Sequence, residues 1–481
     1  MSALGKIIKI AQNRFTAGSD KVARRSPVPV LPSADYDAIP EPLSDHYTLG
    51  FAKTDIMPSD IAKKKYWVAG YRINNPATGV QDPMTASAVW LDDNSGRGGI
   101  FMISIDNVGM SSYDSDIIKE SMREDLTQMH CRGVYIFSTH NHAGIDTLGY
   151  WGRLPRTGRD PKYMAILHDG VRRVMRAAYR ARKDGELFHG TIEAPDVLRD
   201  TRPPEVFSKT ITRFRFAPSG GGRETWLINL ASHSESMLGH NSLISADFPC
   251  YMRREILEKA DAEAIYFVGA IGGQIRPKDL DENNVISTIQ CGVRIAERVM
   301  QMTDERKLRP IVNLITQPFY LEAENIMLLA AAKINIFRAK RRATGDGALG
   351  YSIETEMSYV NIDGVPMLFL PGELFPELAY GGFLSAEESG TGLGPEINPP
   401  LLTDIAQDKN LLIFGLCNDM TGYIVSPNDW YLHPEEPYIN GGVDRHGAKH
   451  YEETNSLGPR TAYVIADQFA KIMSIVRQSA K

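Results

Sequence analysis

Residues 133–151 read GVYIFSTHNHAGIDTLGYW, an apolar run that stops at two histidines one residue apart. The β-branched and aromatic run from Val134 to Phe137, bounded by glycine and polar residues, predicts a buried β-strand. In a strand, residues i and i+2 face the same side, so His140 and His142 are predicted to face one site at the carboxyl end. Two neutral imidazoles that converge there can hold a metal such as zinc. A pair of hydrogen-bonded loop histidines is the alternative interpretation.

The segments on either side of this strand indicate the fold class. Residues 114–130 carry a helical apolar stripe that leads directly into it, and four strand-like segments precede it, at 47–56, 66–73, 85–93 and 98–109. A βαβ-like order places loops and ligands at the carboxyl ends of strands. We therefore predict an α/β protein, at the border with α+β, in which mixed β-sheet layers flanked by helices form one large catalytic domain.

The remaining periodicity predicts helices at 161–183, 257–264, 287–302, 326–340 and 461–477, and strands at 191–200, 213–217, 225–233, 264–277 and 411–425. A hairpin with an Asp-Gly turn is predicted within 358–375. The basic cluster of Arg338, Lys340, Arg341 and Arg342 is interpreted as the solvated end of the 326–340 helix. The Gly- and Pro-rich residues 381–400 predict a lid or a long surface loop.

Residues 1–45 are predicted to stand apart from the catalytic domain of residues 46–481. Apolar residues at helical spacing with basic residues between them predict a short amphipathic helix within residues 1–15, followed by a Pro-rich connector. The helix either packs on the body or rests on an anionic membrane. Packing is favoured, because one short helix with three basic residues is a weak membrane anchor.

Composition excludes several classes of protein. The net charge of −6 lacks the electrostatic footprint of a nucleic-acid-binding protein, so no nucleic-acid partner is expected. The four cysteines are scattered without CxxC spacing, which favours reduced structural thiols. With neither an apolar signal core nor a run of about 18 apolar residues, a cytoplasmic location is expected.

Further polar groups stand at predicted strand ends. His233 closes the strand 225–233, Glu373 follows FLPG, and Tyr423 lies in the last core strand. His240 lies in the same loop as His233 and competes with it as a metal ligand. Glu373 is alternatively a helix cap and Tyr423 a core tyrosine with a satisfied hydroxyl.

Six segments occur in an order typical of a known family: YTLGFAKTDIMPSD (47–60), STHNHAG (138–144), INLASHSESMLGHNSLISADFPCY (228–251), LPGELF (370–375), GLCNDMTGY (415–423) and HYEETNSLGPRTAY (450–463). With this set the chain resembles the catalytic domain of the neutral, or alkaline non-lysosomal, ceramidases. These are zinc-dependent amidases that cleave the N-acyl bond of ceramide. The resemblance spans residues 47–475.

The resemblance implies a role for each matching residue. It implies that Zn²⁺ is held by His140, His233, Glu373 and Tyr423. It implies a catalytic or supporting histidine at His142, and an oxyanion-stabilising tyrosine at Tyr451. Arg202 matches an arginine of the same pocket, and a turn-stabilising surface arginine is its alternative reading.

Three features depart from the family pattern. Arg276, in GGQIRP, stands where a serine is usual, so a serine nucleophile has no support. The secretory signal and the C-terminal immunoglobulin-like domain are expected to be missing. An apparent insertion at 430–449 lengthens the segment before Tyr451 and is expected to remodel the pocket rim.

We therefore expect a zinc-dependent amidohydrolase in which metal-activated water cleaves an N-acyl or related C–N bond of a small-molecule amide or N-acyl lipid. The substrate need not be ceramide. The alternatives are a non-catalytic metal-binding scaffold with the same fold, and an esterase acting on a small lipid-like substrate.

Overall fold

Two β-sheets packed face to face form the centre of the molecule. The computed structural model describes residues 28–479, so the predicted helix of residues 1–15 lies outside the described part. The described strands are β1 (Tyr47–Asp55), β2 (Gly79–Val80), β3 (Thr85–Asp92), β4 (Ile100–Ile105), β5 (Gly133–Ser138), β6 (Lys183–Glu193), β7 (Leu198–Arg199), β8 (Thr210–Pro218), β9 (Glu224–Leu230), β10 (Leu243–Ile244), β11 (Ala262–Val268), β12 (Arg276–Pro277), β13 (Glu305–Leu308), β14 (Val312–Glu322), β15 (Arg341–Ala343), β16 (Tyr351–Ile362), β17 (Val365–Phe369), β18 (Glu373–Leu374), β19 (Leu412–Phe414), β20 (Tyr423–Ile424), β21 (Gly442–Val443) and β22 (Lys449–His450).

The described helices are α1 (Ser112–Ser121), α2 (Arg123–Gln128), α3 (Pro161–Arg180), α4 (Asp247–Ala260), α5 (Asn284–Met300), α6 (Ile326–Lys333), α7 (Glu377–Tyr380), α8 (Leu402–Ala406) and α9 (Thr461–Ser479). Short 3₁₀ helices span Pro395–Ile397, Pro427–Asp429 and Glu452–Asn455. None of the helices between residues 28 and 479 has the length and apolar character that a membrane crossing requires.

Both large sheets are mixed. The first has the order β11-β9-β8-β6-β1-β3-β4-β5, with β13 on β6, and the second the order β14-β16-β17-β19, with β15 on β16. Most neighbours are antiparallel, but β4–β5, β9–β11 and β17–β19 are parallel. Helices α1 and α2 connect β4 to β5, and α4 connects β9 to β11. The predicted α/β class, with mixed sheet layers flanked by helices, is confirmed.

Four layers follow from which face each element buries. Side chains of both sheets, including Leu91, Phe214, Val360 and Phe369, form the central apolar core. Helix α3 covers the outer face of β1, β3 and β4, and α4 with α5 covers β9 and β11. Helix α9 packs on the outer face of the second sheet. Buried residues recur along α3 at helical spacing, so its single apolar face accounts for its place in the sandwich.

The first sheet curls until its two edge strands come close. The rings of Phe137 on β5 and Phe267 on β11 lie 4.9 Å apart at their centroids. The segment after β19 fills the remaining gap: Gly415 N donates to Val268 O at 3.0 Å, and Asn418 N donates to Ile136 O at 2.7 Å. The carboxyl ends of β5, β9, β17 and β19 therefore meet in one region.

Several predicted boundaries are wrong. The stripe at 114–130 is two helices, because the chain breaks at Met122. The helix predicted at 257–264 begins instead at Asp247, since Pro249 lies in the first turn, where proline is tolerated. Residues 66–73 form isolated bridges at Trp67 and Val68 and no regular strand.

The basic cluster is also placed differently from its prediction. Helix α6 ends at Lys333, and Asn335 has a positive φ of 58°. Arg341 and Arg342 lie on β15, which pairs with β16. The prediction failed because helical periodicity carries no information about a strand partner farther along the chain. The Asp-Gly hairpin is confirmed between β16 and β17.

The described part of the Pro-rich connector runs along the second sheet. Asp37 forms a bridge with Leu314 of β14, and Ile39 N donates to Asn313 Oδ1 at 2.9 Å. Together with the hydrogen bond from Ala34 N to Gln317, these contacts tie residues 34–39 to β14 of the second sheet.

Candidate metal centre

His140 is positioned by the end of β5 and by the neighbouring β4. It adopts a positive φ of 55°, which is uncommon for a residue with a side chain. Its Nδ1 lies 2.6 Å from Val108 O, which follows β4. A carbonyl oxygen only accepts, so Nδ1 carries a proton, and in the neutral ring Nε2 keeps its lone pair.

His233 reaches the same place from the end of β9. A parallel bridge between Asn141 and Ser234 joins the two strand-end loops. The Nδ1 of His233 lies 2.9 Å from Ile275 O, so this ring has the same tautomer as His140. Both imidazoles are almost completely buried. The two rings lie 4.8 Å apart at their centroids, each with Nδ1 turned to a carbonyl and Nε2 left for another partner.

Glu373 completes the convergence. It starts β18, and its Oε2 lies 3.2 Å from Nε2 of His140 and 3.2 Å from Nε2 of His233. Burial alone would raise the pKa of Glu373, but the two imidazoles hold it well below its usual range. Although burial alone would lower it, the Glu373 carboxylate raises the pKa of His233.

The donor set fits a metal ion. Two imidazole lone pairs and a carboxylate oxygen repel one another unless a positive centre, a proton or a cation, lies between them. Zinc bonds of about 2.0–2.1 Å in a tetrahedral site place neighbouring ligand atoms about 3.3 Å apart. The 3.2 Å separations agree with that spacing. His140, His233 and Glu373 are thus arranged as metal ligands are.

His142 lies beside these three groups without a hydrogen-bond partner. Its ring centroid is 4.6 Å from that of His140 and 5.6 Å from that of His233. Neither ring nitrogen is hydrogen-bonded. Burial, together with His140 and His233, lowers the pKa of His142 well below its usual value, so the ring is neutral at pH 7. Gly70, with φ of 108°, lets its backbone pass where a Cβ would lie 2.6 Å from Cβ of His142.

Glu235 is a buried carboxylate at this site that sequence reasoning missed. Its Oε2 accepts a hydrogen bond from Tyr71 Oη at 2.9 Å and lies 3.6 Å from Nδ1 of His142. Its Oε1 lies 3.9 Å from Nε of Arg276, whose guanidinium is paired with Asp279. The sequence held a signal, since Glu235 stands two residues after His233, as His142 stands two after His140.

Tyr423 lies next to Glu373. The two residues are register partners on β20 and β18, so their side chains leave the same face. Tyr423 Oη accepts a hydrogen bond from Gln274 Nε2 at 2.8 Å, while its ring packs against apolar neighbours. The ring of Tyr451 stands perpendicular to that of Tyr423 at 6.3 Å, and 45% of Tyr451 is exposed.

The structure also bears on the alternative readings of His240, Arg202 and Glu373. His240 is exposed and its backbone carbonyl accepts a hydrogen bond from Arg72, so it does not join His140 and His142. Arg202 is buried among carboxylates, two of them directly after Tyr451, so it is not the surface arginine of the alternative reading. Glu373 does not cap the helix that follows it, because the N-cap of α7 is Pro376. Its carboxylate faces the histidines instead.

Comparison with known proteins gives a fold relationship. No protein-family model matches the chain, and no curated protein matches it. The neutral ceramidase from Pseudomonas aeruginosa is similar in structure, with a TM-score of 0.65 and 14% identity over 91% of this chain and 75% of that chain. A structure described as "Ceramidase complexed with C2" gives 0.65 and 15% over 91% and 76%. The fold that the resemblance implied is confirmed: the described chain has the fold of these ceramidases.

Proposed function

We propose that this protein is a zinc-dependent amidohydrolase that cleaves an N-acyl or related C–N amide bond. The observation that carries the proposal is the approach of two Nε2 lone pairs to one Glu373 oxygen at 3.2 Å each. In the tautomer that the carbonyls fix, these atoms are all acceptors, and a cation between them relieves their repulsion; their spacing also matches that of zinc ligands.

The residues proposed to hold the metal are His140, His233, Glu373 and Tyr423. Val108 and Ile275 support this assignment, because their carbonyls fix the histidine tautomers. When bound, zinc acts as a Lewis acid that polarises a carbonyl and lowers the pKa of water toward ~7.

His142 is proposed to move the proton. It is neutral, buried, and free at both nitrogens, so it is able to accept a proton at one and deliver it to the leaving amine. Glu235 Oε2 lies 3.6 Å from Nδ1, so Nε2 is the nitrogen proposed to serve the reacting groups.

Tyr451 is proposed to stabilise the developing oxyanion. Its ring stands perpendicular to that of Tyr423 at 6.3 Å, and burial raises the pKa of Tyr451, so the phenol keeps its proton at pH 7. The proton of Tyr451 then stays available for an oxygen that gains negative charge.

The proposed substrate is an N-acyl compound, with a lipid amide as the first candidate. The support is the fold shared with structures named as ceramidases. The test is a hydrolysis screen of N-acyl compounds of graded chain length, including ceramide, with matched esters to identify an esterase. About one zinc per chain is expected, and a chelator should abolish turnover.

Replacement of Glu373 tests the metal centre directly. Glu373→Gln keeps the shape but removes the charge, so we expect loss of bound zinc and of hydrolysis with the fold retained. Glu186→Gln, at an exposed ion pair with Lys307, is the control and should behave as the wild type. A protein that binds no divalent metal, or that hydrolyses amides equally well in chelator, would refute the proposal.

A further inference from the structure

A second group of ligand-type residues lies next to Tyr451. Asp429, Asp444 and His450 place ligand atoms within 4.8 Å of one another. A cation is already among them, because Nη2 of Arg202 lies 3.2 Å from Asp429 Oδ2. Both nitrogens of His450 face carboxylates, at 2.8 Å from Glu453 and 3.3 Å from Asp444. Arg202 and His450 therefore already pair with the carboxylates of this group.

We propose that Arg202 is a positioning residue that fixes Tyr451 and the rim segment, residues 430–450, beside the metal centre. It acts through other residues and does not contact the substrate. The kinetic part of this inference rests on the proposed function, whereas the structural part does not.

Carboxylates occupy both ends of the guanidinium. Nη1 lies 2.8 Å from Glu452 Oε2, and Nη2 lies 3.2 Å from Glu453 Oε1 as well as from Asp429. The Arg202 side chain is only 9% exposed, and its guanidinium carbon lies 4.7 Å from the ring centroid of Phe375. Nη2 donates to two carboxylates, Nη1 lies beside a third without a hydrogen bond of its own, and Phe375 covers one face, so this cluster holds the guanidinium.

These ion pairs act on Tyr451 through the chain. Glu452 and Glu453 follow Tyr451 directly and form the start of the 3₁₀ helix Glu452–Asn455, of which Tyr451 is the N-cap. Gly422, with φ of 89°, brings the loop before Tyr423 so close that a Cβ would lie 2.0 Å from Asn455 O. The ion pairs that hold Glu452 and Glu453 therefore also fix the position of Tyr451 relative to Tyr423.

The same cluster anchors the rim segment. His450 belongs to β22, whose partner β21 starts at Gly442, and it binds Asp444 in the turn between them. Tyr431 N donates to Glu453 Oε1 at 3.3 Å, at the start of the segment. The N–H of Gly390 donates to Asp429 at 2.8 Å, which joins the 381–400 loop to the cluster.

Removing the guanidinium leaves buried negative charge. Asp429 and Glu452 would lose their ion-pair partner, and Glu453 would keep only the one to His450, with backbone N–H groups as the remaining partners of Asp429 and Glu453. Breaking a buried ion pair by deleting one partner is strongly destabilising, because the remaining charge is uncompensated. The rim and Tyr451 are expected to move apart locally, while the ligands on β5 and β9 stay in place.

Hydrogen exchange of the zinc-loaded full-length protein tests the anchoring. Arg202→Met should raise exchange in peptides covering 430–455 and leave those of β5 and β9 unchanged. Arg202→Lys keeps one point charge and should give an intermediate rise, and it carries the test if the methionine variant does not fold. Arg215→Met is the matched control, since Arg215 also pairs with two carboxylates, Glu224 and Glu305, and stacks on Phe188.

Kinetics test the positioning of Tyr451. For the best amide substrate, kcat/KM of Arg202→Met should fall about 10–100-fold with zinc content unchanged, and Arg202→Lys should recover part of the loss. If peptides covering 430–455 exchange at the wild-type rate in both Arg202 variants, the anchoring role is overturned. Raised exchange with unchanged kcat/KM would overturn the positioning role. If the wild type hydrolyses no amide, the proposed function fails and exchange alone decides the anchoring.

Discussion

At His140, one hydrogen bond bears on both the backbone conformation and the tautomer of the ring. Its positive φ costs of order 1 kcal/mol or more, which the bond to Val108 O helps to offset. The same bond selects the tautomer that leaves Nε2 unprotonated. His142, two residues later, receives no such bond. The two histidines of the HxH pair therefore differ in that one ring is fixed by a hydrogen bond and the other is not.

Replacement of His142 should separate catalysis from metal binding. His142→Asn is expected to retain zinc, since the His140, His233 and Glu373 contacts remain, and to lower kcat at least about 10²-fold through loss of proton transfer. Zinc content and kcat are measured on one preparation. His189→Asn is the control, because Nε2 of His189 also lacks a hydrogen-bond partner but lies on β6. Zinc loss in His142→Asn would instead make His142 a ligand.

At the scale of elements, the start of α1 is held by a buried carboxylate. Asp114 lies in the first turn, and its two oxygens each lie 2.7 Å from an Nη atom of Arg159. His168 of α3 lies 3.2 Å from Asp114 Oδ1. Burial alone would raise the pKa of Asp114, but His168 and Arg159 hold it below its usual range. Asp114 thus couples α1 to α3 and to the loop after the HxH pair.

Asp114→Asn should destabilise the protein by about 3 kcal/mol at pH 7, because Arg159 loses its buried partner. A lowered folded-state pKa means that the stabilisation is present above the unfolded pKa of about 3.9 and is lost as the pH falls. The difference in unfolding free energy between the wild type and Asp114→Asn should therefore narrow below about pH 4. Urea unfolding at a series of pH values measures it.

Asp116 offers the matched control on the same helix. It is half exposed and pairs with Lys340 at 3.0 Å, so Asp116→Asn should cost at most about 1 kcal/mol. Equal losses of stability in Asp114→Asn and Asp116→Asn would contradict the assigned role of Asp114. So would a difference in unfolding free energy between the wild type and Asp114→Asn that widens in acid.

At the scale of the whole molecule, the segment 415–418 joins the two sheets beside His140 and Glu373. Asn418 accepts a hydrogen bond from Ile136 N at 2.8 Å and donates to Val134 O at 3.2 Å and to Glu356 Oε1 at 2.7 Å. One side chain thereby links β5, which carries His140, to β16 of the second sheet.

Asn418→Ala should lower the free energy of unfolding by about 3 kcal/mol, since it leaves buried groups on β5 unsatisfied at about 1–3 kcal/mol each. The positive φ of 59° adds to the loss, because alanine tolerates it less well than asparagine. Chemical denaturation measures the change. Asn410→Ala, at an exposed position, is the control, and equal stability of the two variants would disprove the linking role.

Local pattern was sufficient where a feature depends on neighbours in the chain. The apolar run before His140, the Asp363-Gly364 turn and helix α9 were predictable, because burial and turn chemistry impose a short period on the sequence. The start of α4 was not, since Pro249 reads as a breaker and is tolerated in a first turn.

What the amino-acid sequence determined by itself is which strands are followed by histidine or carboxylate side chains and that the sheets are mixed. Only the tertiary structure decided that His233 rather than His240 meets His140, that Glu235 stands behind His142, and that Arg202 is enclosed by carboxylates. The physical reason is that these contacts join residues far apart in the chain. Their distances depend on how the first sheet curls and on how the second closes the gap, and no local period encodes either.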